Sequence, residues 1–162
     1  MIRNAHLSIC RLVLEPTVRK EYIMLEDAVG REYSRNDLER NCAEAMVYGA
    51  NEEFNLNLPK EAFDTMGAFG GGMRVGSVCG AVTGSLAVIG ILFNSEEFEK
   101  QEKMKRIAEE FLEEFEKRYG HLDCKVLKEK YRDEVIGCEP TVRMAAKVLE
   151  EIIVKYEREK TN

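Results

Sequence analysis

Ser77-Val78-Cys79-Gly80-Ala81-Val82-Thr83-Gly84-Ser85-Leu86-Ala87-Val88-Ile89-Gly90-Ile91-Leu92-Phe93 is the stretch on which the fold turns. Its apolar part, Val82 to Phe93, is too short and too interrupted to span a bilayer. Read as a helix over 77–93, it carries Gly80 and Gly84 four residues apart, with the small Ala81 and Ala87 beside them. One side of such a helix is nearly bare, and a bare side lets a second backbone come close. The stretch therefore reads as a tight, buried central helix. Gly72 and Gly76 extend the spacing of four upstream, and the face as a whole must be covered by another helix. Gly70-Gly71-Gly72 is a turn or loop, because three consecutive glycines cost a helix too much entropy.

Outward from this centre the helical period dominates. Ser95 reads as the cap of a helix with Glu96 and Glu97 in its first turn and an apolar stripe of Met104, Ile107, Ala108, Phe111, Leu112, Phe115 and Tyr119, stopped by Gly120. A short segment from Cys124 to Tyr131 carries Val126 and Leu127. A last helix starts at Glu139-Pro140 and buries Val142, Ala145, Ala146, Leu149, Ile152 and Tyr156. Upstream, Val18, Tyr22, Leu25, Val29 and Tyr33 recur at helical spacing. Leu38, Cys42, Ala45, Met46 and Phe54 suit another helix. Leu7 to Leu14 fits a strand or a buried helix and ends at Pro16. No β-alternation stands out beyond it. The expected architecture is an all-α, single-domain helical bundle with a glycine-rich central helix. Residues 1–34 form an N-terminal extension, helical and packed on the domain, and 35–162 form the four-cysteine helical domain.

The totals agree. A chain of 162 residues with 44% hydrophobic and 33% charged residues buries a core without staples and is not a disordered composition. A net charge of −6 speaks against a nucleic-acid partner. No signal peptide is visible, since Arg3, His6 and Arg11 interrupt any apolar run near Met1. The expected location is cytoplasmic, with no membrane span. In that compartment five cysteines read as metal ligands, redox groups or core fillers before structural disulfides.

Cys42, Cys79, Cys124 and Cys138 each stand where a helix begins, after Asn41, near Ser77, after Asp123 and before Glu139-Pro140. A helix start offers free N–H groups and the positive end of the dipole, which favours a thiolate. At Cys42 a rival cap exists: Asn36 with Glu39 makes a capping box that puts this cysteine inside its helix. None of the four forms a Cys-x-x-Cys pair, so zinc-ribbon and ferredoxin-like spacings are absent. Cysteine also fills cores as a small hydrophobe, and spacing alone leaves that open.

Other motifs carry less. Gly70 to Gly76 lacks both the Gly-Lys-Ser/Thr ending and the Gly-x-Gly-x-x-Gly order of phosphate loops. His121, three residues before Cys124, reads as a donor behind a metal ligand or as a solvent-facing cap. The glutamates of 96–116, interleaved with lysines and Arg106, form a solvated helix face.

Asn41-Cys42-Ala43-Glu44-Ala45, then Phe69-Gly70-Gly71-Gly72-Met73 leading into Cys79-Gly80-Ala81-Val82-Thr83-Gly84, then Cys124 and Cys138, resemble the small redox-active proteins named for a CGCAxxGCC signature. The similarity covers roughly residues 35–155. Here Cys79 precedes Gly80 where the family name writes Gly before Cys. The N-terminal 34 residues look longer than the usual start, and Cys10 has no family counterpart. The family is similar to the cysteine domain of split-Soret cytochromes c, which are dimers. The resemblance implies an iron–sulfur cluster held by Cys42, Cys79, Cys124 and Cys138, serving electron transfer or redox sensing with a partner that the residues do not identify, in a homodimer. With no Cys-x-x-Cys-His, no c-type haem is expected. Two alternatives stay open: a metal-free thiol–disulfide redox protein, and a helical interaction module with structural cysteines or zinc. In each redox reading the four thiols share one pocket, and Cys10, beside Ile9 and Leu12, stays outside it.

Overall fold

The apolar stretch forms a helix, Gly80–Phe93, and its small face is used within the chain. A computed structural model describes residues 24–35 and 37–159. Cys10 and the apolar run of residues 7–14 lie outside the described residues. In chain order the helices are α1 (Leu25–Tyr33), α2 (Cys42–Phe54), α3 (Lys60–Asp64), α4 (Gly80–Phe93), α5 (Phe98–Tyr119), α6 (Cys124–Tyr131) and α7 (Glu139–Glu159), with a π-helical turn at Gly72–Gly76 before α4. The described residues contain no strand, only the isolated antiparallel bridges Val78↔Asp123 and Asp133↔Gly137. The fold is all-α, as the helical period dictates. Among the described residues no helix is long and apolar enough to cross a membrane.

α4 sits at the centre, against α2, α5 and α7. A Cβ on Gly84 would stand 2.7 Å from the Ala43 carbonyl oxygen and 2.8 Å from Met46 Cβ, so α2 lies directly on the α4 backbone. Gly76 does not continue this face, because it closes the π-turn at φ 78, outside α4. The bare side expected to need cover is thus covered by α2. Ser85, fully buried, donates its hydroxyl to the Ala81 carbonyl at 2.8 Å and leaves no orphan polar group.

The flanking helices bury the stripes that their periods define. In α5 the fully buried residues are Ile107, Phe111 and Phe115, and Gly120 ends the helix in the left-handed region at φ 92. Its start differs from the sequence expectation: the helix begins at Phe98, not just after Ser95. The Ser95 hydroxyl accepts the Glu97 N–H at 3.3 Å, closing a local turn that competes with helix initiation. α1 buries Leu25, Ala28 and Val29 against α2 and α7. Arg143 of α7 clamps α1 from outside, donating to Asp27 at 3.0 Å, to the Glu26 carbonyl at 3.2 Å and to Glu139 at 2.8 Å. This clamp crosses Gly30, where a Cβ would meet the guanidinium at 2.2 Å.

One half-buried carboxyl of α2 is poised against its charge. Burial first, then Glu150 and Glu52, push Glu53 up from 4.5 to about 7, with Arg31 pulling the other way. The folded chain holds this proton where the unfolded chain has lost it, so stability falls as pH rises from about 4.5 through about 7. Glu53→Gln removes that fall. Chemical denaturation at pH 5 and pH 8 is expected to show the wild type losing about 1 kcal/mol more than the variant across the interval, since water screens a half-exposed carboxylate. Parallel losses in both proteins would exclude Glu53 as the source.

Candidate functional site: four thiols at helix starts

Local caps place each cysteine first. Asn41 caps α2, its side-chain oxygen accepting Ala43 N–H at 2.8 Å and Glu44 N–H at 3.2 Å, while the Glu44 carboxylate accepts Asn41 N–H at 2.8 Å. This complete capping box makes Cys42 the first residue of α2, not an interior one. Asn41 also donates to the carbonyls of Met66 and Gly67, each at 3.2 Å, which ties the cap to the chain before the glycine turn. Cys79 is the N-cap of α4, Cys124 opens α6 after Asp123, and Cys138 immediately precedes α7.

Tertiary contacts then bring the four together. Around the Val78↔Asp123 bridge, Cys79 N–H donates to Leu122 at 2.8 Å and Cys124 N–H donates to Ser77 at 2.7 Å. Gly72, at φ 63, lets the π-turn sit on this junction, since a Cβ there would lie 2.6 Å from Cys124 Cβ. Gly80 admits Cys42, whose Cβ is 3.1 Å from where a Gly80 Cβ would be. Cys138 follows a closed turn in which Asp133 accepts the N–H groups of Val135 and Ile136 at 2.7 and 3.0 Å, and Gly137 takes φ 64. Tyr33, the last residue of α1, accepts Cys138 N–H on its hydroxyl at 3.1 Å.

The outcome is two pairs of buried, free thiols. Cys42, Cys79, Cys124 and Cys138 are 7%, 3%, 3% and 7% exposed. Cys42 hydrogen-bonds to Cys138, and Cys79 to Cys124. The pairs also feel one another, through Cys42 with Cys79 and Cys124, and through Cys124 with Cys138. The hydrogen bond from Cys42 leads in drawing Cys138 down to about 6, against burial and aided by Lys128, the Tyr33 hydroxyl and Arg132. The bond from Cys79 likewise draws Cys124 down to about 7, with Lys128 again favouring the thiolate. Their partners move the other way. Cys42 is pushed up by its bond to Cys138 and then by burial. Cys79 is pushed up by its bond to Cys124 and by burial, while the Ala81 and Val82 N–H groups at the start of α4 pull it down. Helix starts therefore favour thiolates, but the pairwise bond decides which two ionise first, not all four together.

Cys42, Cys79, Cys124 and Cys138, expected from the sequence to share one pocket, do lie together, whereas the side chains around them carried no such signal. Tyr33 read only as an apolar position of its helix. Lys128 stands four residues after Cys124, one helical turn along the same face, a spacing that could have marked it. His121 is exposed. Among the described residues no group of three or more His, Cys, Asp or Glu side chains is arranged to hold a metal ion. The four sulfurs of the candidate site stand two by two.

Residues 40–152 match the family model described as "Putative redox-active protein (C_GCAxxG_C_C)". No curated protein and no solved structure matches.

Proposed function

The chain belongs to the C_GCAxxG_C_C family of redox-active proteins, and we propose that its redox activity runs through the four paired thiols as the ligands of an iron–sulfur cluster, serving electron transfer or redox sensing. The observation that carries this reading is the arrangement of four buried free thiols in two hydrogen-bonded pairs that feel each other's charge. An all-thiolate donor set suits iron and sulfide. Pairs suit a two-iron cluster, in which each iron takes two thiolates, better than one tetrahedral zinc with four equivalent ligands. Cys42, Cys79, Cys124 and Cys138 would together hold the cluster. When bound, the cluster supplies a one-electron step.

The residues around the sulfurs prepare them for that role. Cys138 and Cys124 ionise first, and Cys42 and Cys79 give up their protons on loading, so loading releases protons. Lys128, Arg132, the Tyr33 hydroxyl and the first N–H groups of α4 offset the resulting negative charge. Burial of all four sulfurs excludes water from them.

The same pairs favour a second reading. Each pair joins two reduced sulfurs in contact, and oxidation of a pair to a disulfide would release two electrons and two protons to an acceptor. Anaerobic purification followed by reconstitution with ferrous iron and sulfide separates the readings. A brown protein carrying two irons and two acid-labile sulfides per chain is the expected result. A colourless product containing zinc would favour a structural site. A metal-free product whose thiols oxidise to Cys42–Cys138 and Cys79–Cys124 disulfides would favour thiol exchange.

A further inference from the structure

Between the loop that follows α1 and the glycine-rich turn lies an open, polar cavity of about 580 Å³. Tyr33, Glu39, Asn41 and Arg74 contribute to its lining. Two of these walls also serve the thiols, since Tyr33 holds the Cys138 N–H and Asn41 caps the helix that Cys42 opens. The volume is in the range of small-molecule sites.

Most charges around the cavity are already committed. Arg35 grips Asp37 through two hydrogen bonds at 3.0 and 2.8 Å. Arg40 pairs with Glu32 and lies over the Tyr48 ring, 3.4 Å from its centre. Glu44 completes the capping box. Two charges of opposite sign remain. Arg74 has no carboxylate partner among the described residues and makes only a 3.4 Å hydrogen bond to the Gly67 carbonyl. Glu39 has no hydrogen bond or ion pair among them. Arg74 is moreover held with Met73 in the left-handed region, at φ 65 and 55, a backbone state that side chains other than glycine rarely adopt. Such conformations persist where the surrounding structure imposes them.

We propose that this cavity binds a small zwitterion of amino-acid or short-peptide chemistry, with its carboxylate on Arg74 and its ammonium on Glu39. A ligand with one charge would engage only one of the two side chains and leave the other without a partner in the cavity wall. A zwitterion satisfies both. It would sit one side chain away from Cys138, across Tyr33. The inference concerns a site next to the thiols and does not depend on whether they hold iron.

Isothermal titration of the reduced, metal-free chain with glutathione tests it, with glutarate and putrescine as probes of one sign each. Saturable binding of glutathione is expected, at least tenfold tighter than either control. Arg74→Gln and Glu39→Gln, both at exposed side chains, should each weaken it tenfold or more with thermal melting unchanged. No saturable binding of glutathione overturns the proposal, as does binding that neither substitution weakens. Equal binding of glutarate would make this an anion site and overturn the zwitterion assignment. None of these results alters the metal content on which the four-thiol reading is tested, so the two fail separately.

Discussion

Cys79→Ser is expected to abolish the visible absorption and the iron content of the anaerobically reconstituted protein while far-ultraviolet helicity is kept. Serine is a poor ligand for iron at neutral pH, because its hydroxyl does not ionise there as a thiol does. The substitution replaces one buried atom at the N-cap of α4, a position that serine fills readily. The fold rests elsewhere, on Phe111, Phe115, Leu149 and Ile153, none of which needs a metal. The variant also separates the two redox readings. Cys79 is paired with Cys124, so a thiol-exchange protein should lose that disulfide in the variant and still form the one between Cys42 and Cys138. A wild type that stays colourless after reconstitution would defeat the cluster reading outright. Global unfolding of Cys79→Ser would show that the site is structural first.

The helix starts were legible because a cap is a local signal. Asp123 before Cys124 and Glu139-Pro140 after Cys138 announce their helices within a few residues, and both boundaries stand where the sequence puts them. Local signals also compete. Asn36 with Glu39 and Asn41 with Glu44 are equally good capping boxes on paper. The second begins α2 because Asn41 also bonds to the carbonyls of Met66 and Gly67, contacts that no window around Cys42 contains. Ser95 failed as a cap for a similar reason, its hydroxyl being spent on a turn of its own. The pairing of the thiols was not legible at all. It depends on the Val78↔Asp123 bridge and on the reach of Tyr33 to Cys138, between residues 105 positions apart. A helix start biases a sulfur toward ionisation, an expectation weakest at Cys42 because of the rival Asn36–Glu39 box, and a thiol donating to a neighbouring thiolate outweighs that bias at Cys42 and Cys79.

Gly84→Ala is expected to destabilise the protein by about 3 kcal/mol, the upper part of the range for overpacked cores, and to loosen the thiol site with it. The added Cβ would meet the Ala43 carbonyl oxygen at 2.7 Å, Met46 Cβ at 2.8 Å and Ala43 Cα at 2.9 Å. No rotamer change relieves contacts with backbone atoms and a Cβ, so α2 itself must move away from α4. Cys42 is the first residue of α2, next to the atoms that clash, and its movement separates it from Cys138. Gly90→Ala on the same helix is the control, because a Cβ there has nothing within 4 Å. Both substitutions gain the same helix propensity, about 1 kcal/mol for Gly to Ala, so their difference isolates the contact. For a chain of this size the thermal midpoint of Gly84→Ala should fall by about 6–12 °C, while that of Gly90→Ala stays level or rises. Cys42 should also react faster with a thiol reagent under native conditions in Gly84→Ala alone. Equal melting of the two variants would mean that α2 yields without cost. Lower stability with Cys42 still protected would mean that the thiols are held by Tyr33 and the 133–137 turn rather than by the seating of α2 on α4.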